Sequence, residues 1–313
     1  MTDTSQHREA IGEAPNPLGL HGIEYIEYTT TQPQALGQVL ETLGFKPVAR
    51  HRSREVLLYR QGAMNLVVNG HAGVLRHTPA NGEVGNVGNA GKAGNAGDGS
   101  PRITALALRV RDAGAAYQRA LDLGAWDVPN HAQVMELNIP GIHGPGGAHI
   151  YFVDRCEDFS IFSVDFKPIP GVDPHPPAAA ALHFFGVVQY IGRNRTDDWV
   201  EFYGRLLGFA RLPEDTHFGI LPKGTLLQSP CEGAARFFLQ LIEPDAATIA
   251  YEEQELFHRV GFGTADVPAA VALLRKRGVD FVEGADVKVT ERGAITRNAL
   301  RTVVFELVHD ERQ

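Results

Sequence analysis

Three residues in the second half of the chain have side chains suited to holding a metal ion: His183, His258 and Glu306. Glu306 interrupts the apolar run 303–308, whose alternating side chains are otherwise apolar on both faces of a strand. Such a run predicts a buried strand. An isolated buried carboxylate requires a cation, a metal ion or a proton, so Glu306 is a candidate metal ligand. A structural carboxylate with a satisfied charge, or a residue at a sheet edge, fits the strand equally well.

The two histidines extend this candidate site. His183 and His258 each lie in the first predicted strand of a strand–helix–strand module. Two imidazoles and one carboxylate, with three coordination positions open, form the arrangement of non-haem Fe(II) oxygenases. The spacing along the chain carries no local signature, so the residues form one site only if their strands lie side by side. A lone histidine on a strand is more often a core or surface residue than a metal ligand.

Composition excludes several classes of function. The 313 residues carry a net charge of −8, which argues against an electrostatic nucleic-acid surface. No apolar run reaches the roughly 18 residues that a membrane span requires, and the N-terminus lacks the apolar core of a signal peptide. The only cysteines are Cys156 and Cys231, as expected for a reducing compartment. We therefore expect a cytoplasmic protein without nucleic-acid or membrane partners, and a homo-oligomer is compatible with this composition.

The pattern along the chain predicts two domains. A disordered tail, 1–16, precedes a first domain at 17–167, which contains a mobile Gly- and Asn-rich loop at 82–100. A Pro-rich linker, 168–180, leads to a second domain at 181–313. We expect the metal site in the second domain and none in the first.

Short strands alternate with single helices in both halves. Helices are predicted at 34–43, 113–123, 197–207 and 267–277, each followed by glycine, and strands include 134–139, 148–153 and 159–166. The segment 103–112 lines up with 257–266, which indicates an internal repeat. In the first half the counterparts of the three candidate ligands are His21, Thr104 and either Ser163 or Asp165, with no second imidazole.

These residues resemble a known family, the 4-hydroxyphenylpyruvate dioxygenases of the vicinal oxygen chelate superfamily. In the first half the resemblance lies in 16–28, 51–69 and 136–155; in the second it lies in Leu182-His183, 258–262 and Phe305-Glu306. The resemblance implies an α+β fold of two vicinal oxygen chelate domains. Each domain is then a pair of βαβββ modules that form a curved open barrel.

The resemblance also implies a function. One Fe(II) per chain would be held by His183, His258 and Glu306 and would oxidatively decarboxylate an aromatic 2-oxo acid with O2, a reaction of tyrosine degradation. Thr225 and Gln240 stand where the family has polar substrate contacts. The residues expected to line the barrel, or equally to form its core, are Phe184, Phe185, Phe237, Phe238 and Phe305.

Departures from the family pattern leave two alternatives open. Phe257 replaces the glutamine that the family has before its second histidine, and the sequence given ends at Gln313, without the family's C-terminal covering helix. One alternative is an extradiol catechol dioxygenase with His217 as acid/base. The other is a divergent metal-binding relative with little or no dioxygenase activity.

Overall fold

The fold consists of two mixed β-sheets with helices. The computed structural model describes residues 16–70, 99–129, 137–155, 159–220, 224–243, 255–284 and 287–311. Residues 1–15 of the predicted tail at 1–16 and most of the predicted loop at 82–100 lie outside these residues, as does Cys156. No helix in the described part of the chain is long and apolar enough to cross a membrane.

The first half supplies eight strands and three helices. Their order is β1 (Ile23–Thr29), α1 (Pro33–Thr42), β2 (Lys46–His51), β3 (Val56–Gln61), β4 (Met64–Asn69), β5 (Arg102–Arg109), α2 (Ala113–Asp122), β6 (Gly141–His143), β7 (His149–Val153), α3 (Ile161–Asp165) and β8 (Phe166–Pro168). These strands form one sheet in the order β6-β7-β5-β1-β4-β3-β2-β8.

The second half repeats this plan with seven strands and two helices. They are β9 (His183–Tyr190), α4 (Thr196–Leu207), β10 (Ala210–Arg211), β11 (Thr225–Gln228), β12 (Phe238–Ile242), β13 (Leu256–Thr264), α5 (Val267–Lys276), β14 (Gly293–Ile295) and β15 (Phe305–His309). The sheet order is β10-β11-β12-β9-β13-β15-β14. Both sheets are open and combine parallel with antiparallel pairs, and the predicted fold class is confirmed.

The strand pairing shows the internal repeat directly. At the centre of the first sheet β1 and β5 are antiparallel, flanked by the parallel partners β4 and β7. At the centre of the second sheet β9 and β13 are antiparallel, flanked by the parallel partners β12 and β15. The domain limits themselves stay a prediction.

Local chemistry explains where the helices begin and end. Asp112 and Asp266 occupy equivalent positions before α2 and α5, and each side chain accepts a hydrogen bond from a backbone N–H of the first turn at 2.8 Å. Gly208 ends α4 with a positive φ of 77°, which a residue with a side chain adopts only at a cost. The four predicted long helices are confirmed to within one residue at each end.

The predicted strand at 159–166 is wrong over most of its length. Residues 161–165 form the short helix α3, and only Phe166 enters a strand. Ser160 begins this helix because its hydroxyl accepts a hydrogen bond from the backbone N–H of Ser163 at 3.2 Å. The described end of the predicted strand at 134–139, residues 137–139, is not a strand either.

One hydrophobic core joins the two sheets. Phe262 of β13 is fully buried, and its ring lies 5.4 Å from that of Phe305 and 5.8 Å from that of Phe45 in the first half. Tyr28 of β1 contacts the Phe305 ring at 6.4 Å. On its other face, the second sheet carries a separate small cluster of Phe185, Phe238 and Val308. Each sheet therefore uses one face for the shared core and keeps the other for its own interior.

We expect Phe262→Ala to lower the free energy of unfolding by about 3–5 kcal/mol, because it removes a buried ring that contacts both halves. Urea unfolding at neutral pH measures this loss. Phe159→Ala is a matched control, since that ring is 76 % exposed and its removal should leave stability nearly unchanged. Equal effects of the two substitutions would contradict a shared core centred on Phe262.

Candidate functional site

Glu306 lies in the interior of the second sheet. It is 4 % exposed and belongs to β15, between β13 and β14. The register pairs Glu306 with Gly261 of β13 and with Ile295 of β14. The apolar run 303–308 thus correctly predicted a buried carboxylate.

The partner of Glu306 is a guanidinium group. Arg259 Nε donates a hydrogen bond to Glu306 Oε2 at 3.0 Å, and Arg259 is itself only 3 % exposed. Arg259 lies two positions before Gly261 along β13, so its side chain lies on the Glu306 face of the sheet. Sequence reasoning missed this residue. The available signal was a second charge inside the apolar strand that also contains His258.

Burial and charge act on Glu306 in opposite directions. Burial raises the pKa of the Glu306 carboxyl, and the neighbouring Arg259 charge opposes that rise. Arg259 also has an unsatisfied donor, because its Nη2 atom is buried without a hydrogen-bond partner in the described part of the chain. The pair is therefore neutral overall but retains one free donor.

His183 lies at the far end of the sheet from His258. It begins β9 opposite Gly263, and its Nε2 atom is 2.9 Å from Oδ2 of Asp310. The other ring nitrogen, Nδ1, lies 3.3 Å from the carbonyl oxygen of Ala181. Both ring nitrogens of His183 thus have protein partners.

His258 occupies a bulge at the other end of the same strand pair. Phe257 pairs with Gln189 and Arg259 with the adjacent Val188, so His258 is the extra residue of β13. Its ring stacks on Tyr190 with centroids 4.2 Å apart. Burial, with a smaller contribution from Arg259, lowers the pKa of His258 to about 4, and its Nδ1 atom is buried without a partner among the described residues.

The structure does not bring the three predicted ligands together. His183 is level with position 263 of β13 and His258 is at position 258, a separation of roughly 16 Å at the rise of an extended strand. Metal–nitrogen bonds near 2 Å cannot bridge that distance. Along the described residues, no group of three or more His, Cys, Asp or Glu side chains is placed to hold a metal ion.

Glycines occupy the positions beside Glu306. Gly261 of β13 pairs with Glu306 of β15 on one side and with Gly186 of β9 on the other. Of these three paired residues, only Glu306 has side-chain atoms that can bind a metal ion. A Cβ atom at Gly186 would collide with the carbonyl oxygen of Phe238. One carboxylate, already paired with a guanidinium, does not fit the three-ligand iron site that the resemblance implies.

Aromatic rings fill the rest of this interior. The Phe218 ring lies 4.6 Å from that of Phe238 and 5.1 Å from that of Phe185. Phe218 belongs to the loop after β10, which Arg292 holds by donating a hydrogen bond to the carbonyl oxygen of His217 at 2.9 Å. Gly219 passes directly over the Glu306 carboxylate, since a Cβ atom there would collide with Oε1.

The remaining predicted site residues are dispersed. Thr225 pairs with Leu241, which faces the shared core, whereas Gln240 alternates with it and faces the same interior as Phe238. Thr225 and Gln240 therefore do not act on one ligand. His217 is exposed on the loop, away from the buried position that the extradiol alternative requires. Three of the expected lining residues instead belong to the shared core: Phe184, Phe237 and Phe305.

Comparison with known proteins identifies relatives that cover most of this chain. The profile of the family described as "Hydroxyphenylpyruvate dioxygenase, HPPD, N-terminal" matches residues 14–167. The 4-hydroxyphenylpyruvate dioxygenase of Pseudomonas sp. (strain P.J. 874) is 37% identical, over 63% of this chain and 51% of its own length. The enzyme of the same name from Pseudomonas aeruginosa is 31% identical, over 88% of this chain and 74% of its own length.

Other relatives bear different names. Hemolysin VllY of Vibrio vulnificus is 34% identical, and a 3-dehydroshikimate dehydratase of Pseudomonas aeruginosa is 31% identical over 41% of its length. A solved xylose isomerase-like TIM barrel/4-hydroxyphenylpyruvate dioxygenase fusion protein shares the fold, with a TM-score of 0.70 and 23% identity over 95% of this chain and 50% of that one. A mutant 4-hydroxymandelate synthase from Streptomyces coelicolor has a TM-score of 0.67 at 16% identity, covering 94% of each chain.

We expect Arg259→Met to lower the free energy of unfolding by about 3–5 kcal/mol at pH 7, because it leaves Glu306 buried without its cation. The double variant Arg259→Met/Glu306→Met should recover most of that loss, since it contains neither charge. Urea unfolding of wild type, Arg259→Met, Glu306→Met and the double variant completes the cycle. A double variant less stable than Arg259→Met would show that the ion pair is not the cause.

The pH dependence of Arg259→Met follows from the same geometry. Without Arg259, burial alone acts and keeps the pKa of Glu306 above its value in the unfolded chain. A raised pKa means that folding favours the protonated carboxyl, so stability is complete below the unfolded pKa and is lost as pH rises through the folded one. The variant should therefore recover stability on acidification from pH 8 to pH 5, relative to the double variant measured alongside it.

Proposed function

Since this chain belongs to the 4-hydroxyphenylpyruvate dioxygenase family, we propose that it is a divergent member with little or no iron-dependent dioxygenase activity, whose second sheet binds a small aromatic ligand without a metal. The observation that carries the proposal is the buried ion pair between Arg259 and Glu306. Family membership supports a dioxygenase-type function in general. Its members bear names of different activities, so the site has to decide the reaction.

The residues around Glu306 argue against iron chemistry at this site. A non-haem iron site of this class requires two imidazoles and a carboxylate that converge on one point and leave open positions. Here the neighbouring positions are Gly186 and Gly261, and the nearest charge is a cation that repels a metal ion. His183 and His258 lie at opposite ends of the strand pair. This arrangement therefore supports no iron-dependent reaction step.

The chemistry of the same interior supports an aromatic ligand. Arg259 and Glu306 neutralise each other, which favours an uncharged group over an anion at this point. The free Nη2 donor of Arg259 requires an oxygen acceptor, such as a phenolic hydroxyl or a carbonyl. The surrounding rings of Phe185, Phe218 and Phe238 match a flat apolar body. Phe218 comes from a loop rather than from a strand, and the proposed ligand ring occupies the place of its side chain.

The finer expectations of the sequence form a competing proposal. Fe(II) as cofactor, an aromatic 2-oxo acid and O2 as reactants, and a role in tyrosine degradation depend on the family resemblance rather than on the site. The extradiol alternative is supported less, since it needs the same metal and a buried acid/base histidine. A cytoplasmic location likewise stays a prediction.

We expect the purified chain to retain far less than one iron per molecule after anaerobic loading with Fe(II) and desalting, because no three ligands converge among the residues that the structure describes. Metal analysis measures the content, and an oxygen electrode with 4-hydroxyphenylpyruvate should show uptake at background. The 4-hydroxyphenylpyruvate dioxygenase of Pseudomonas aeruginosa, treated identically, serves as the active control. Stoichiometric iron together with oxygen uptake that Glu306→Ala abolishes would overturn the proposal.

Ligand binding provides the positive test. Phe218→Ala vacates the space of one ring between Phe185 and Phe238, and an emptied apolar cavity of this kind takes up small aromatic molecules. We expect this variant to bind phenol more tightly than wild type, and more tightly than it binds toluene, because only phenol offers an acceptor to Arg259. Ligand-observed NMR titration measures both affinities. The exposed Phe159→Ala control should match wild type, and no preference for phenol would contradict a role for the Arg259 donor.

A further inference from the structure

A second interior, in the first half of the chain, contains a cavity of about 460 Å³. Strands β1, β3, β4 and β5 form its floor, and helix α3 with the start of the Pro-rich linker forms its rim. The volume is within the usual range for small-molecule sites. No step of the proposed function uses this cavity.

Two guanidinium groups and one carboxylate face the cavity. Glu24 is 2 % exposed and forms an ion pair with Nε of Arg109. Arg60 instead has neutral hydrogen-bond partners: its Nε donates to Asn65 Oδ1 at 2.8 Å, and its Nη1 donates to the carbonyl oxygen of Pro174 at 2.9 Å. Two positive charges against one negative charge leave the lining with one excess positive charge.

That excess charge is partly withdrawn from water. Burial lowers the pKa of the Arg60 guanidinium, and the charge of Arg109 adds to this effect, while Glu24 opposes both. Such a cation is stabilised by an anion that reaches it in a site of low dielectric constant. Apolar groups from Val48, Leu58 and Phe162 form the adjacent wall, and Arg60 lies 5.6 Å above the Phe162 ring.

We propose that this cavity is a binding site for a small organic monoanion, a carboxylic acid with an apolar or aromatic body. Its carboxylate contacts Arg60 and Arg109, and its body packs on Phe162. A single negative charge matches the excess of one positive charge, and the apolar wall favours an organic acid over an inorganic ion. Because this site lies in the first half of the chain, its test is independent of the function proposed for the second sheet.

The linker takes part in this site. Pro174 and His175 line the cavity, and the backbone N–H of Gly62 donates a hydrogen bond to the carbonyl oxygen of Pro176 at 2.8 Å. The segment that joins the two halves is therefore attached to the wall of the cavity.

Benzoate is the probe, titrated into the full chain by isothermal calorimetry, with benzamide as its uncharged counterpart and inorganic phosphate as the inorganic anion. We expect saturable benzoate binding and a loss of roughly tenfold or more with benzamide, because only benzoate carries the charge that Arg60 and Arg109 recognise. Saturable binding of phosphate without benzoate, or equal affinity for benzoate and benzamide, would overturn the proposal.

Variants separate this cavity from the rest of the molecule. Arg60→Met should weaken benzoate at least about tenfold, and Ser163→Trp, at the exposed rim, should block entry without removing a charge. Arg50→Met, an exposed arginine on the neighbouring strand β2, is the matched control and should bind as wild type does. Unchanged benzoate affinity in both Arg60→Met and Ser163→Trp, with folding verified by circular dichroism, would show that benzoate binds elsewhere.

Discussion

The buried ion pair between Arg259 and Glu306 constrains the whole second sheet. Two charges with exposures of 3 % and 4 % are held between strands that otherwise carry apolar side chains. Removing either partner leaves an uncompensated charge in a medium of low dielectric constant. Gly219 passes over the Glu306 carboxylate, and the ring of Phe218 lies against Phe185 and Phe238 in the same interior. A metal ion at this point would have to displace a cation that the protein itself supplies.

The sheet geometry then decides which other residues can act with this pair. Side chains alternate across a strand, so a residue meets Glu306 only if it lies on the same face and in a nearby row. Gly186 and Gly261 occupy those places, whereas the two histidines lie at opposite ends of β9 and β13. The bulge at His258 adds one residue to β13. As a result Arg259, and not His258, lies on the Glu306 face of the sheet.

The repeated architecture holds different chemistry in its two halves. In the internal repeat, Ala107 of the first sheet corresponds to Gly261 of the second. Gly261 pairs with Glu306, and Ala107 pairs with Tyr151. The counterpart of Glu306 is therefore Tyr151 and not Ser163 or Asp165, because β7 rather than the segment after it occupies the place of β15. Across both halves the same scaffold buries a charged group beside a guanidinium, Glu24 with Arg109 and Glu306 with Arg259. In this protein the fold alone therefore does not determine the chemistry of the site.

The sequence by itself determined the elements that depend on local interactions. Glycines after the helices and the apolar run around Glu306 report on neighbours only a few residues away, and these predictions agree with the structure. Pairing between distant strands was decided only in the tertiary structure. One bulge shifts a register and changes which side chains meet, and no local pattern shows where that extra residue falls. For this reason the burial of Glu306 was readable from its own strand, but its partner, Arg259, was not.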